Sequence, residues 1–296
     1  MKNYLPKQFE ICVPASIANL GPGFDTLAVA VRLYLRLRVR IENSTNELRF
    51  TFPNLVLDGE NYVERAFRFL ANQNGGEFPS LTVEVHSDIP FKSGLGSSAA
   101  ATVAGLRLYE AIAGPLPLQG LLNAACALEH HPDNVSAALL GGLTISCQMP
   151  DRSVVAVRVR WPQQLHFVVL TPEYPLATSE SRQALPQQIS REDAVFNLQR
   201  LALLLRCIES GDTSLFREAL HDRLHQPFRQ KLVPGLQRAL ALEHPDVLGV
   251  CLSGAGPSVV AFAERNFEAV EDVMAETFRE YGLAFTTRKL CAHQEF

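Results

Sequence analysis

The chain has 296 residues, 47% hydrophobic and 20% charged, with a formal net charge of −4. That length suits one large or two ordinary domains with a well-packed core. The acidic balance argues against nucleic acid as a partner, because such binding rests on lysines and arginines neutralising phosphates. No stretch approaches the ~20 apolar residues of a membrane span.

From the N-terminus, Phe9 to Val13 reads as a strand, followed by a glycine-rich loop and further strands through Ile41. Arg36, Arg38 and Arg40 alternate with Leu35, Leu37, Val39 and Ile41, so these basic residues, with nearby Arg32, read as the solvated face of a half-buried strand. A helix from about Asn61 puts Val63, Ala66, Phe67 and Leu70 on one face. A strand, Leu81 to Val85, leads through a glycine–serine loop into a helix from Ser98 to about Ala113, stopped by Gly114 and Pro115. A second helix runs from near Pro117 to Glu129, and a third starts around Asp133. Leu143 to Ser146 and Val154 to Val159 read as strands.

Pro162, in Trp161-Pro162-Gln163-Gln164, interrupts both neighbours and suggests domains of residues 1–160 and 161–296. The second half opens with a buried strand, His166 to Leu170, and a long polar loop from Thr171 to Ser190. Helices follow from Asp193 to about Glu209 and from Ser214 to about Leu224. Leu248 to Leu252 reads as a short strand, then come a glycine loop, the strand Ser258 to Phe262, a helix from about Asn266 and a strand from Phe285 to Lys289. This mixture predicts α+β layers. Cys12, Cys126, Cys147, Cys207, Cys251 and Cys291 have no CxxC spacing, so buried reduced thiols are expected. Met1 to Lys7 has no apolar core of signal-peptide length, and a cytoplasmic protein is expected.

Three glycine loops and an acidic turn carry the chemistry. In the first loop, Val13 to Asp25, turn chemistry alone explains Asn19 and Asp25, while the functional alternative is a platform offering an amide and a carboxylate to a polar substrate. The second runs from Ile89 to Thr102. Its glycines allow close backbone approach and its serines stand at a helix start, where free amides bind phosphate. No Walker ending occurs, and Ala99 stands where a dinucleotide fingerprint needs a third glycine. Helix capping by Ser97 and Ser98 is the simpler alternative. The acidic turn is Glu129-His130-His131-Pro132-Asp133-Asn134. Adjacent histidines rarely reach one metal, and His221 with His225 reads as an ordinary polar helix face. Glu129 is either a Mg²⁺ ligand or a solvated helix-end charge. The third loop, Leu252 to Ser258, is either a structural hairpin or an anion-binding turn.

In this order the four elements resemble the GHMP kinase superfamily, named for galactokinase, homoserine kinase, mevalonate kinase and phosphomevalonate kinase. Pro90 to Ala100 matches its Pro-x-x-x-Gly-Leu-Gly-Ser-Ser-Ala-Ala motif, and Gly254-Ala255-Gly256-Pro257-Ser258 matches its third motif. Residues 14–25, His131 to Val135 with Gly141-Gly142, Thr178 to Arg182 with Leu185-Pro186, and His225 to Arg229 with Leu232 to Pro234 are similar to the homoserine kinase branch. His130 departs from it, standing where the branch has Gly after the Glu.

The resemblance implies an α+β, two-domain GHMP kinase fold, with an N-terminal ribosomal-S5-like domain and a C-terminal ferredoxin-like domain. It implies transfer of the ATP γ-phosphate to the side-chain hydroxyl of L-homoserine, and a homodimer. The nucleotide would lie on Asn61, Pro90, Lys92, Ser93, Gly94, Leu95, Gly96, Ser97 and Ser98, with Mg²⁺ on Ser98 and Glu129. Homoserine would lie among Asn19, Asp25, His131, Asp133, Asn134, Thr178, Arg182, Arg229 and Gly256. Being a zwitterion, it needs a cationic clamp, which Arg182 and Arg229 suit, and an anion, which Asp25 suits. Asp25 and Asn134 are the catalytic candidates, with ammonium binding favoured for Asp25 over proton abstraction and Asn134 placed near the reacting hydroxyl.

Overall fold

A computed structural model describes residues 6–57 and 59–294, so the signal-peptide reading of Met1 to Lys7 lies largely outside the described residues. Two sheets organise the chain. The first holds β1 (Gln8–Ala18), β2 (Leu27–Thr45), β3 (Leu48–Thr51), β4 (Pro79–Ser87), β5 (Leu143–Gln148) and β6 (Val154–Val159). Its order is β3-β4-β2-β5-β6, with β1 paired to β2. The alternation in β2 works as predicted, since Leu35, Leu37 and Val39 are buried while Arg38 and Arg40 are exposed. Arg36, Arg38 and Arg40 pair on the surface with Asp88, Glu10 and Glu42. Such exposed pairs contribute little to stability.

Four helices pack against this sheet: α1 (Tyr62–Gln73), α2 (Ser97–Ala113), α3 (Leu118–Glu129) and α4 (Asp133–Leu140). Asn61 caps α1, its Oδ1 accepting from the amides of Val63 and Glu64. The predicted apolar stripe of α1 is buried, with Ala71 added to it. α1 crosses α2 at Gly105, where a Cβ would stand 2.2 Å from the Val63 carbonyl oxygen. Any larger residue would push α1, and the Asn61 cap with it, away from α2.

The second sheet comprises β7 (His166–Pro172), β8 (Gly249–Leu252), β9 (Val259–Ala263) and β10 (Phe285–Leu290). All its pairings are antiparallel in the order β10-β7-β9-β8, which is the ferredoxin-like order. Its helices are α5 (Thr178–Gln183), α6 (Arg191–Ser210), α7 (Phe216–Ala219), α8 (Gln226–Arg229), α9 (Leu236–Leu240) and α10 (Phe267–Arg279). Trp161 is fully buried against Phe167 and Phe262, within a core that also takes in Val13, Ile17 and Leu20. The C-terminal segment returns to the first sheet: the Gly142 amide donates to the His293 carbonyl, the His293 amide donates to that of Ala30, and Gln294 bonds Trp161 twice.

Several elements differ from the sequence reading. β1 extends to Ala18, so half of the supposed first loop is strand. Short β3, which lies parallel to β4, was not anticipated. Within the polar loop, residues 178–183 form α5. The expected helix over residues 214–224 survives only as α7. The reason is local: Asp222 accepts from the amides of Leu224, His225 and Gln226, and this side-chain bonding competes with helix. Of the cysteines, Cys126, Cys207 and Cys251 are buried as expected, but Cys12 and Cys147 are exposed; none of the six is in a disulfide.

Gly105→Ala should destabilise the protein by about 1–3 kcal/mol through overpacking at the α1–α2 crossing. Chemical denaturation checks this, and an unchanged midpoint and slope would contradict it.

Candidate active site

The three glycine loops are stitched together by their backbones. The Ser16 amide donates to the Leu95 carbonyl at 3.1 Å, the Gly254 amide to that of Ala18 at 3.1 Å, and the Ser258 amide to that of Ser93 at 3.0 Å. Ser253 Oγ adds a bond to the Gly94 carbonyl at 2.7 Å. Two glycines make this approach possible. A Cβ on Gly94 would stand 2.3 Å from the Ser253 carbonyl oxygen, and one on Gly96 would stand 2.3 Å from Ser16 Oγ. Both also have positive φ, 82° and 71°, which side chains disfavour.

At one end of the site lies the start of α2. Gly96 is its N-cap and supplies no side-chain cap. The first intrahelical bond runs from the Ala100 amide to the Gly96 carbonyl, leaving the amides of Ser97, Ser98 and Ala99 at an open, positively polarised terminus. Ser98 does not cap. Its Oγ donates to Glu129 Oε2 at 2.7 Å. Glu129 Oε1 accepts from Thr102 Oγ1 at 2.8 Å and lies 3.5 Å from Arg65 Nη2. The carboxylate is nearly buried, so it is not a solvated helix-end charge. His130 takes the left-handed conformation that ends α3, with φ 65°, and the helix closes there without glycine. Leu95 and Ser93 face the interior, so only their backbone borders the cleft.

At the other end the charges gather. Arg182 binds Asp25 bidentately, at 2.7 and 3.0 Å, which ties α5 to the first loop. Burial works against the Arg182 charge, but Asp25 more than compensates and holds the guanidinium's pKa above its usual value. Arg229 is fully buried. Its Nη1 donates to the Gly254 carbonyl at 3.0 Å, and burial together with the Arg182 charge pushes its pKa down to about 10. Phe24 lies beneath both guanidiniums, 5.6 Å from Arg182 and 5.3 Å from Arg229.

Asp133 is buried and its Oδ1 accepts from the Asn134 amide, from Asn134 Nδ2 and from His131 Nδ1, the last at 3.1 Å. Burial penalises both His131 and Asp133 as ions, yet their bond wins for each: His131 titrates above, and Asp133 below, the ordinary value.

The predicted residues therefore fall into groups. Asp25 meets Arg182, Ser98 meets Glu129, and His131, Asp133 and Asn134 form one cluster. Asn134 Oδ1 also accepts from Ser16 Oγ at 2.8 Å. Thr178 begins α5, whose Ser181 Oγ donates to the Ala255 carbonyl of the third loop beside Gly256. Asn19 differs from expectation, because its amide is turned inward. Nδ2 donates to the Gly254 carbonyl and Oδ1 accepts from the Asp25 amide, so Asn19 positions Asp25. His225 is not on a polar helix face but fully buried, bonded to Gly21 and Arg229. Sequence reasoning missed Ser16, Thr102, Arg65 and Ser253. Only Thr102 carried a readable signal, since it lies four residues after Ser98 on the same helix face.

Residues 61–142 match the GHMP kinases N terminal domain and residues 204–280 match the GHMP kinases C terminal domain. A homoserine kinase of Solibacter usitatus is 39% identical over 284 residues, covering 94% of this chain and 93% of its own. A homoserine kinase of Moorella thermoacetica is 40% identical over 290 residues, covering 95% and 97%. The crystal structure of homoserine kinase from Cytophaga hutchinsonii superposes with a TM-score of 0.87 at 26% identity, over 100% of this chain and 98% of that one.

The His131–Asp133 pair predicts a pH signature. Stability from the raised His131 is present below its unfolded pKa and is lost as pH rises through the folded value. Stability from the lowered Asp133 is present above its unfolded pKa and is lost as pH falls through the folded value. The pair therefore stabilises between the two folded-state values. An NMR titration of His131 should give a pKa above that of free imidazole, falling on Asp133→Asn; an unmoved value would contradict the pairing.

Proposed function

With a chain that belongs to the homoserine kinase family of the GHMP kinases, we propose that this cleft phosphorylates the side-chain hydroxyl of L-homoserine with ATP, giving O-phospho-L-homoserine and ADP. The observation that carries the choice of acceptor is the Asp25–Arg182 pair beside buried Arg229. A zwitterionic amino acid needs an anion for its ammonium and a cationic fork for its carboxylate, and both lie within one cluster. A carboxylate without an ammonium, such as mevalonate, would bring no cation of its own to Asp25.

The phosphates of ATP lie against the Gly94-to-Ser98 backbone and the open end of α2, with Pro90, Lys92 and Ser93 shaping the turn and Asn61 bordering the base. Asp25 receives the ammonium, while Arg182 and Arg229 receive the carboxylate. Thr178 and Gly256 close the pocket. Asn19 and Asp133 act through Asp25, Asn134 and His131, which they orient. Asn134, held by Ser16 and Asp133, aims the hydroxyl at the γ-phosphate. The transition state of phosphoryl transfer is loose, so positioning and charge neutralisation suffice, and Asp25 stays a binding group.

Ser98, Glu129 and Thr102 supply two hydroxyls and a carboxylate, a hard-oxygen set that fits Mg²⁺, which prefers oxygen and keeps several waters. We assign Ser98 and Glu129 as its ligands, where the ion would neutralise charge on the phosphates. Thr102 and Arg65 fix the Glu129 carboxylate through Oε1, leaving Oε2 to the site. Six cysteines outside any disulfide suit a reducing cytoplasm. Residues 1–160 would form the nucleotide side and residues 161–296 the second unit.

ADP release with ATP and Mg²⁺ should be rapid on L-homoserine and slight on mevalonate; equal turnover on both would refute the acceptor assignment. Arg182→Ala should weaken homoserine binding by about 1.5–3 kcal/mol, and unchanged affinity would remove Arg182 from the clamp. Thr102→Ala should raise the Mg²⁺ concentration for half-maximal rate by roughly tenfold, with Thr102→Ser restoring it. A wild-type Mg²⁺ profile in Thr102→Ala would exclude the positioning role.

A further inference from the structure

His225 takes no part in the scheme above, yet its surroundings are unusually restrictive. The ring is fully buried and both nitrogens are engaged. Nε2 lies 2.8 Å from the Gly21 carbonyl oxygen, which can only accept, so Nε2 carries the hydrogen. Nδ1 lies 3.1 Å from Arg229 Nη1, which can only donate, so Nδ1 offers its lone pair. Those two neighbours select the neutral Nε2–H tautomer. Burial lowers the ring's pKa; Asp222, 3.6 Å from Nε2, pulls the other way, and the Arg229 charge again opposes a second cation.

The surrounding backbone fixes the ring as firmly. Asp222 accepts from the His225 and Gln226 amides on one oxygen, and from Leu224 and Asn197 on the other. Phe24 stacks on the imidazole at 5.3 Å and 26°. Gly21 approaches the preceding turn so closely that a Cβ would stand 2.3 Å from the Leu220 carbonyl oxygen. The first loop and the segment that bears Arg229 thus meet at this histidine.

We propose that His225 is a positioning residue for the acceptor subsite: as the neutral Nε2–H tautomer it ties the Arg229 guanidinium to the Gly21 carbonyl, so that the first loop sets the orientation of the carboxylate receptor. This rests on the reading of Arg229 as part of the homoserine clamp. The tie makes loop and arginine one unit, and a change at His225 reaches the substrate without touching the nucleotide end.

Two measurements test it. In ¹⁵N-labelled wild-type protein at neutral pH, long-range ¹H–¹⁵N correlation should give His225 a protonated Nε2 and a bare Nδ1. In steady-state kinetics His225→Phe, which keeps a ring on Phe24 but neither hydrogen bond, should raise the homoserine KM by roughly tenfold or more while the ATP KM moves less than about twofold. His225→Gln, whose amide can still donate to Gly21, should recover part of the loss, and His221→Gln on the surface should change neither constant. An Nδ1–H or doubly protonated ring would overturn the proposal, even if His225→Phe fails to fold; so would a folded His225→Phe with the wild-type homoserine KM. An Arg229→Lys variant with an unchanged homoserine KM and a normal His225 tautomer would instead remove the clamp reading and leave the tie itself standing.

Discussion

Everything in the site depends on three loops that approach one another closer than side chains allow. Ser16, Ser93 and Gly254 come from distant parts of the sequence, yet each shares a backbone hydrogen bond with another of the three loops. The missing Cβ atoms at Gly94 and Gly96 permit that contact. With glycine at its N-cap, α2 starts without a side-chain cap, so its first amides have no intrahelical partner. A capping side chain there would have satisfied the helix and closed the phosphate site. Ser98 instead turns to Glu129 and leaves the helix start without a side-chain cap.

The second constraint is the placement of charge. Arg182 and Arg229 lie 5.6 and 5.3 Å from the Phe24 ring, and neighbouring guanidiniums repel unless anions stand among them. Asp25 answers Arg182 directly, whereas Arg229 is held by the Gly254 carbonyl and the lone pair of His225, neither of which carries charge. The positive charge of this cluster is therefore only partly compensated. Asp133 and His131 hold Asn134 in place from the other side. The arrangement is one of fixed dipoles and ion pairs, which suits a reaction catalysed by positioning and electrostatics.

Much of this was legible in the sequence because it is local. The stripe of α1, the alternation of β2 and the glycine stop of α2 follow from spacing within one element. The glycine loops were readable as loops, and their joint order carried the family resemblance. Other features were hidden by distance or by competition. Asp25 and Arg182 are 157 residues apart, and no periodicity links them. The helical pattern over residues 214–224 was overridden near its end, where Asp222 captures the Leu224 amide together with those of His225 and Gln226 just beyond. That capture is also what turned His225 inward, away from the polar face its spacing suggested. For Asn19 the sequence left turn chemistry and a substrate amide open, and its side chain bonds the third loop and the Asp25 amide. His130 stood where glycine was expected, and the chain simply accepts a left-handed histidine there.

In the mechanism proposed above, the stitched loops bring an open helix terminus and a zwitterion receptor to a single point of phosphoryl transfer. A crystal structure with L-homoserine and a non-hydrolysable ATP analogue tests it most directly. Phosphate oxygens are expected on the amides of residues 97–99, the homoserine ammonium at Asp25, its carboxylate at Arg182 and Arg229, and its hydroxyl beside Asn134. Phosphates bound away from the start of α2, or homoserine held without Asp25 and Arg182, would contradict it.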